Sequence, residues 1–122
     1  MGGIHILVDG IGVIPADIVS VLKTAATRAH ATVVHTKCVT LPQPSCNPLS
    51  PPGGTAVALL DESHITLHWY DLADGTARVA LDVFTCGSAN TCVAVSYIMT
   101  QLNLTLMSYE TVKRFAQIPS TQ

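Results

Sequence analysis

The spacing of apolar residues changes several times along the chain, and each change marks a new element. Residues 3–9 (Gly-Ile-His-Ile-Leu-Val-Asp) read as a first strand, and Gly10-Ile11-Gly12 as the turn after it. Behind Pro15 the period lengthens. Ile18, Val19, Leu22, Ala25, Ala26 and Ala29 recur at helical spacing, and a proline suits the first turn, so residues 16–29 are predicted to form an amphipathic helix. Residues 31–36, with Val33 and Val34, return to extended structure. Residues 38–54 hold five of the seven prolines and end in Pro51-Pro52-Gly53-Gly54, which propagates neither a helix nor a central strand; a long loop is expected.

The second half alternates more regularly. Residues 55–61, 64–70 and 76–84 are predicted strands, the last two joined by a turn at Asp74-Gly75. Residues 90–102 offer Val93, Val95, Ile98, Met99 and Leu102 as a helical stripe, with Asn103 as the stop signal, and residues 104–108 read as a final strand. The order βαββββαβ predicts an α+β two-layer unit, a mainly antiparallel sheet with helices on one face. Its other face is left needing a cover.

Composition narrows the function. A chain of 122 residues with 48% hydrophobic content suits one domain with a real core. Charged residues make up only 11% and the net charge is −2, so there is no basic patch for phosphates and nucleic acid is not an expected partner. Small-molecule chemistry fits better. Low charge density with a mean hydropathy of +0.42 suggests that a second subunit covers part of the apolar surface, and a homodimer is expected. Cys38, Cys46, Cys86 and Cys92 form no C-x-x-C pair and follow no secretory segment, so they read as reduced thiols of a cytoplasmic protein. No apolar stretch is long enough to span a membrane.

The chemistry concentrates in Asp61-Glu62-Ser63-His64-Ile65-Thr66-Leu67-His68 and, further on, in Asp82-Val83-Phe84-Thr85-Cys86-Gly87. On a strand, His64, Thr66 and His68 share one face and Ile65 and Leu67 the other. The two segments are expected to bring a serine, a base and a thiol into one neighbourhood. A serine hydroxyl can attack its own preceding carbonyl, turning the peptide into an ester. Loss of the serine α-proton then expels the ester, and hydration of the dehydroalanine leaves ammonia and an N-terminal pyruvoyl group. Such a carbonyl captures a substrate amine and acts as an electron sink for decarboxylation. His64 and His68 do not read as a metal pair. Four residues of strand span about 13 Å, whereas zinc ligands each lie about 2 Å from the ion, and no metal is expected.

These two segments resemble the motifs of the prokaryotic S-adenosylmethionine decarboxylase family, whose proenzymes cut themselves at a Glu-Ser bond. The resemblance implies self-cleavage between Glu62 and Ser63 into a β chain (1–62) and an α chain (63–122), with Ser63 becoming the pyruvoyl cofactor. It implies that His68 assists processing and Cys86 donates a proton. It also implies an αββα sandwich of two protomers. The substrate-binding positions depart from the family pattern: no aromatic residue precedes Trp69, and Trp69-Tyr70-Asp71-Leu72 replaces the usual run after the histidine. Thr55, Trp69 and Asp71 are the candidate substrate-binding residues, while Asp9, Asp61, Asp71 and Glu110 could meet a distal cationic group. Motifs for pyruvoyl chemistry without the family's nucleoside-binding residues point to a cationic amino acid such as L-ornithine or L-arginine, in polyamine biosynthesis. S-adenosylmethionine, for spermidine synthesis, is the alternative, and an inactive regulatory paralogue the second.

Overall fold

Both helices lie on one side of a six-stranded sheet, so every apolar stripe of the chain converges on a single layer. The computed structural model describes residues 2–41 and 52–115. In chain order the elements are β1 (Gly3–Gly12), α1 (Ile18–Arg28), β2 (Val33–Leu41), β3 (Gly53–Leu60), β4 (His64–Asp71), β5 (Ala77–Cys86), α2 (Thr91–Gln101) and β6 (Thr105–Arg114). The strands are arranged β2-β3-β4-β5-β1-β6, and every neighbouring pair is antiparallel. The α+β two-layer expectation is met.

Helix α1 starts where Asp17 accepts a hydrogen bond from the Ser20 amide at 3.1 Å; the capping side chain, rather than Pro15, sets the first turn. It buries Ile18, Val21, Leu22, Ala25 and Ala26, and Val21 takes the place expected for Val19. Helix α2 is capped in the same way by Asn90, which accepts from the Val93 amide at 3.2 Å. Asn103 ends it as expected, in the left-handed region at φ 47°. The α2 stripe is rotated from the expected one: Thr91, Ala94, Val95 and Ile98 face the sheet, whereas Val93 is 38% exposed. These residues pack against Ile6, Val8, Ile65, Leu67, Leu81 and Val83 from the central strands. Burying each such side chain fully contributes about 1.5–3 kcal/mol.

Three expected boundaries move. Gly10-Ile11-Gly12 is not a turn but the end of β1. A β-carbon at Gly10 would lie 2.6 Å from the Thr105 carbonyl oxygen and one at Gly12 2.7 Å from that of Leu102, so these glycines let the α2–β6 connection cross close over the strand. Strand β2 runs on through Cys38 to Leu41, into the segment expected to be loop, because it pairs with β3 from Leu41 opposite Gly53 back to Val33. Gly53 and Gly54, also expected to be loop, open β3 through their pairing with Leu41 and Thr40; residues 42–51, with Cys46, lie outside the described residues. Strand β6 extends to Arg114 although all its residues are exposed; pairing with β1 defines it rather than any buried face.

The sheet face turned away from the helices carries Leu7, Val57, Leu59, Tyr70 and Val112 among polar groups, and Leu59, Val112 and Tyr70 are exposed. No helix among the described residues is long and apolar enough to cross a membrane. Cys38, Cys86 and Cys92 are free thiols. At the β4–β5 turn, Thr76 donates from its hydroxyl and its amide to the Asp74 carboxylate, and these bonds hold the carboxyl below its ordinary pKa.

Candidate active site

The Glu62–Ser63 peptide sits in the tightest connection of the sheet. Strands β3 and β4 join through only Asp61, Glu62 and Ser63: the Leu60 amide donates to the Ser63 carbonyl at 2.8 Å, and the Ser63 amide returns a bond at 3.4 Å, closing a turn around Asp61 and Glu62. Neither loop residue has a positive φ, so the connection lacks the left-handed residues of the commoner two-residue hairpins. The Asp61 amide donates to the Thr32 carbonyl at 2.9 Å, which ties the turn to the start of β2.

Cys86 ends β5 at the same end of the sheet. His64 pairs with Phe84, so continuing that register places Glu62 and Ser63 beside Thr85 and Cys86. The contact is direct at Gly87, which adopts φ +67°: a β-carbon there would lie 2.7 Å from Glu62 Oε2. Cys86 is buried, and its sulfur lies over Gly3 of β1. That register sets Glu62 opposite Cys86 and Ser63 opposite Thr85, so the two motif segments meet at one end of the sheet.

His68 is not part of that group within one chain. It lies five residues beyond Ser63 on a regular strand, a separation of about 16 Å, and pairs with Ala80 in mid-sheet. Its Nδ1 lies 2.9 Å from the Thr55 hydroxyl on β3, a contact that orients the imidazole. Thr55, a candidate substrate contact, is therefore a partner of the histidine. Trp69, another candidate, is only 7% exposed and points into the helix-facing core. The alternation that buries Ile65 and Leu67 buries Trp69 with them, so it cannot stack on a substrate at the open face. Asp71 is exposed at the far end of β4.

Two features are not legible in local motifs. A cavity of about 390 Å³ on the open side of β1, β4 and β5 is lined by Asp9, Tyr70, Leu72, Arg78, Ala80 and Met107. It adjoins the His68–Ala80 pair and offers an aromatic ring and a carboxylate, and its volume is within the range of small-molecule sites. Asp9 is one of four acidic candidates for a cationic group, and nothing local to it along the chain separates it from the rest. A larger hollow of about 510 Å³ lies on the helix side, where Arg28 stacks over Tyr97, away from this chemistry. The second feature is a cluster of His5, His64 and Asp82 on the open face.

Fold and motifs together define the class as a pyruvoyl-dependent decarboxylase. The family description "S-adenosylmethionine decarboxylase" matches residues 4–115, and the chain belongs to that family, whose members are pyruvoyl-dependent carboxy-lyases with no need of a metal. The chain is 30% identical to an S-adenosylmethionine decarboxylase proenzyme of Picrophilus torridus over 125 aligned residues, covering 95% of this chain and 86% of the relative. A proenzyme of the same description from Aquifex aeolicus is 36% identical over 108 residues, covering 83% and 72%. The crystal structure of the adenosylmethionine decarboxylase from Aquifex aeolicus superposes with a TM-score of 0.66 at 30% identity, covering 98% of this chain and 97% of that one. These relatives give no support to ornithine or arginine as the substrate.

The residues present fit the pyruvoyl group. Ser63 directly follows Glu62 in the tight connection before β4, and the buried thiol of Cys86 lies at the end of the adjoining strand β5.

Proposed function

We propose that this chain decarboxylates S-adenosylmethionine with a pyruvoyl group that it makes from its own Ser63 by cutting the Glu62–Ser63 bond. The observation that supports the reading is the contact of Glu62 with Gly87, the residue after Cys86, at the end of β5. Once formed, the pyruvoyl carbonyl supplies a capture point for the substrate amine and a sink for the electrons released with carbon dioxide. Cys86 returns the proton to the α-carbon. Its burial keeps bulk water from competing for that step.

His68 acts in this reading on a second copy of the chain. The strand separates it from its own Ser63, while the exposed Leu59 and Val112 leave apolar surface on the same face. Packing two such faces into an αββα sandwich covers those residues and lets the histidine of one protomer approach the turn of the other. Thr55 holds the imidazole in a single orientation for that role.

The cavity beside His68 receives the nucleoside end. Tyr70 offers a ring for the adenine, in place of the buried Trp69, and Asp9 a carboxylate for ribose hydroxyls. A cationic amino acid is the second reading, favoured by the same Asp9 as a partner for a distal charge. Intact mass spectrometry of the purified protein with cyanoborohydride and S-adenosylmethionine or L-ornithine tests both. Two fragments, breaking between Glu62 and Ser63, with a reduced adduct from S-adenosylmethionine support the first. An adduct and carbon dioxide from ornithine alone support the second. A single unmodified chain would overturn both in favour of an inactive paralogue.

A further inference from the structure

We propose that His5, His64 and Asp82 form a binding site for a divalent cation of the zinc, cobalt and nickel class on the open face of the sheet. The three residues come from β1, β4 and β5, and the ladder brings them together. His5 and His64 both pair with Phe84, one from each side, and Asp82 projects from the same face one pleat further along β5. The two imidazoles lean toward each other across that strand, with ring centroids 6.2 Å apart and nearly perpendicular planes. His5 Nε2 touches Asp82 Oδ1, and one ligand atom from each of the three lies within 4.8 Å of the others.

Tetrahedral ligand atoms held about 2.0–2.1 Å from zinc stand about 3.3 Å apart. The cluster therefore needs only small side-chain rotations, of the order of one ångström, to close on an ion. Two neutral imidazoles and one carboxylate are a borderline donor set that disfavours magnesium or calcium, which prefer oxygen. All three side chains are partly buried, so the ion would be shielded, and three protein ligands leave one coordination position free. The geometry also explains why spacing along the chain does not reveal the site. His68 is held beside Thr55, whereas His64 meets His5 across two strand pairings.

The ion takes no part in the pyruvoyl chemistry, which needs no metal, and its binding does not depend on the substrate. His64 directly follows Ser63, so an ion here would tie the first residue of β4 to β1 and β5. That end of β4 becomes a chain terminus if the Glu62–Ser63 bond is cut. A bound ion is then expected to raise the melting temperature with the logarithm of the free ion concentration above its Kd.

The test is titration of the chelator-treated, dialysed full chain with zinc chloride and, separately, cobalt chloride, followed by calorimetry, visible absorption and thermal melting. Saturable binding of one ion per chain is expected, with a weak cobalt d–d spectrum free of thiolate charge-transfer bands. Asp82→Asn is nearly isosteric and His5→Ala removes a ring from the open face; each should weaken binding about tenfold or more and abolish the zinc-dependent rise in melting temperature. Asp82→Asn that melts like wild type without zinc serves as the folding control. No saturable binding, binding unchanged in both variants, or a thiolate band lost in Cys86→Ser or Cys92→Ser would each overturn the assignment.

Discussion

Glu62 and Gly87 are in contact: a β-carbon at Gly87 would lie 2.7 Å from Glu62 Oε2, and Gly87 holds φ +67°. The residue on the amino side of the cut is thus braced by the residue after the proposed proton donor. Gly87→Ala should fold but cleave slowly. The substitution adds roughly 1–2 kcal/mol of left-handed backbone strain and pushes the Glu62 carboxylate aside. Denaturing gels of freshly made protein check this, and cleavage at the wild-type rate would remove Gly87 from the processing site.

His68 is separated from Ser63 by five residues of strand, so processing in trans can be tested by complementation. Neither His68→Ala nor Ser63→Ala alone should be cut. Co-expressed with differently tagged Ser63→Ala, the His68→Ala chain should be cleaved in mixed dimers, because its serine then meets an intact histidine. Mixed dimers that form without any cleavage would refute the shared site.

Cys86→Ala should still cleave, because the thiol acts after the cofactor exists. Its turnover is expected to fall by about 10²–10⁴, the usual contribution of one proton-transfer group. Single-turnover decarboxylation, with product analysed for misprotonation, measures the effect; unchanged turnover would take Cys86 out of the reaction.

Trp69 and Tyr70 are neighbours on opposite faces, and their variants should separate stability from binding. Trp69→Ala is expected to cost about 3–5 kcal/mol of stability by leaving a cavity in the core. Tyr70→Ala should melt near wild type but show a raised KM, as befits a side chain in the open cavity. Denaturant melts and steady-state kinetics distinguish them. A raised KM in a stable Trp69→Phe variant, with Tyr70→Ala unaffected, would reverse the assignment.

Asp74 gives a pH test. Its carboxyl is held below its ordinary value chiefly by the Thr76 hydroxyl and then by the Thr76 amide. A depressed folded-state pKa contributes stability that is fully present above the ordinary value and is lost as pH falls through the lower folded value. The melting temperature of Asp74→Asn should therefore lie slightly below wild type at neutral pH, and the two should converge in strong acid. A gap that persists in acid would mean that the carboxylate charge is not what holds the turn.

Much of this is written in local patterns. The Glu-Ser-His and Phe-Thr-Cys-Gly segments name the chemistry, and alternation along residues 64–70 correctly separates the histidine face from Ile65 and Leu67. The same alternation already assigns Trp69 to the core; treating it as a substrate contact sets that rule aside. Gly10 and Gly12 mislead for a different reason. A glycine marks either a turn or a close backbone approach, and only the position of Leu102 and Thr105 over β1 distinguishes the two. Strand β6 runs longer than its sequence pattern suggests because an edge strand with no buried face carries no periodic signal.

The sequence by itself determined the order of elements, the side of each strand that seeks the core, and the presence of the family's Glu-Ser-His and Thr-Cys-Gly motifs. Those properties follow from side-chain period and residue chemistry, which act over a few neighbouring positions. The tertiary structure alone decided that β1 lies between β5 and β6, that His5 stands over Asp82 beside His64, that Glu62 rests on Gly87, and that His68 is set apart from its own serine. Backbone hydrogen bonds are alike at every residue, so strand order and register between distant segments are settled only when the whole apolar layer closes against the two helices.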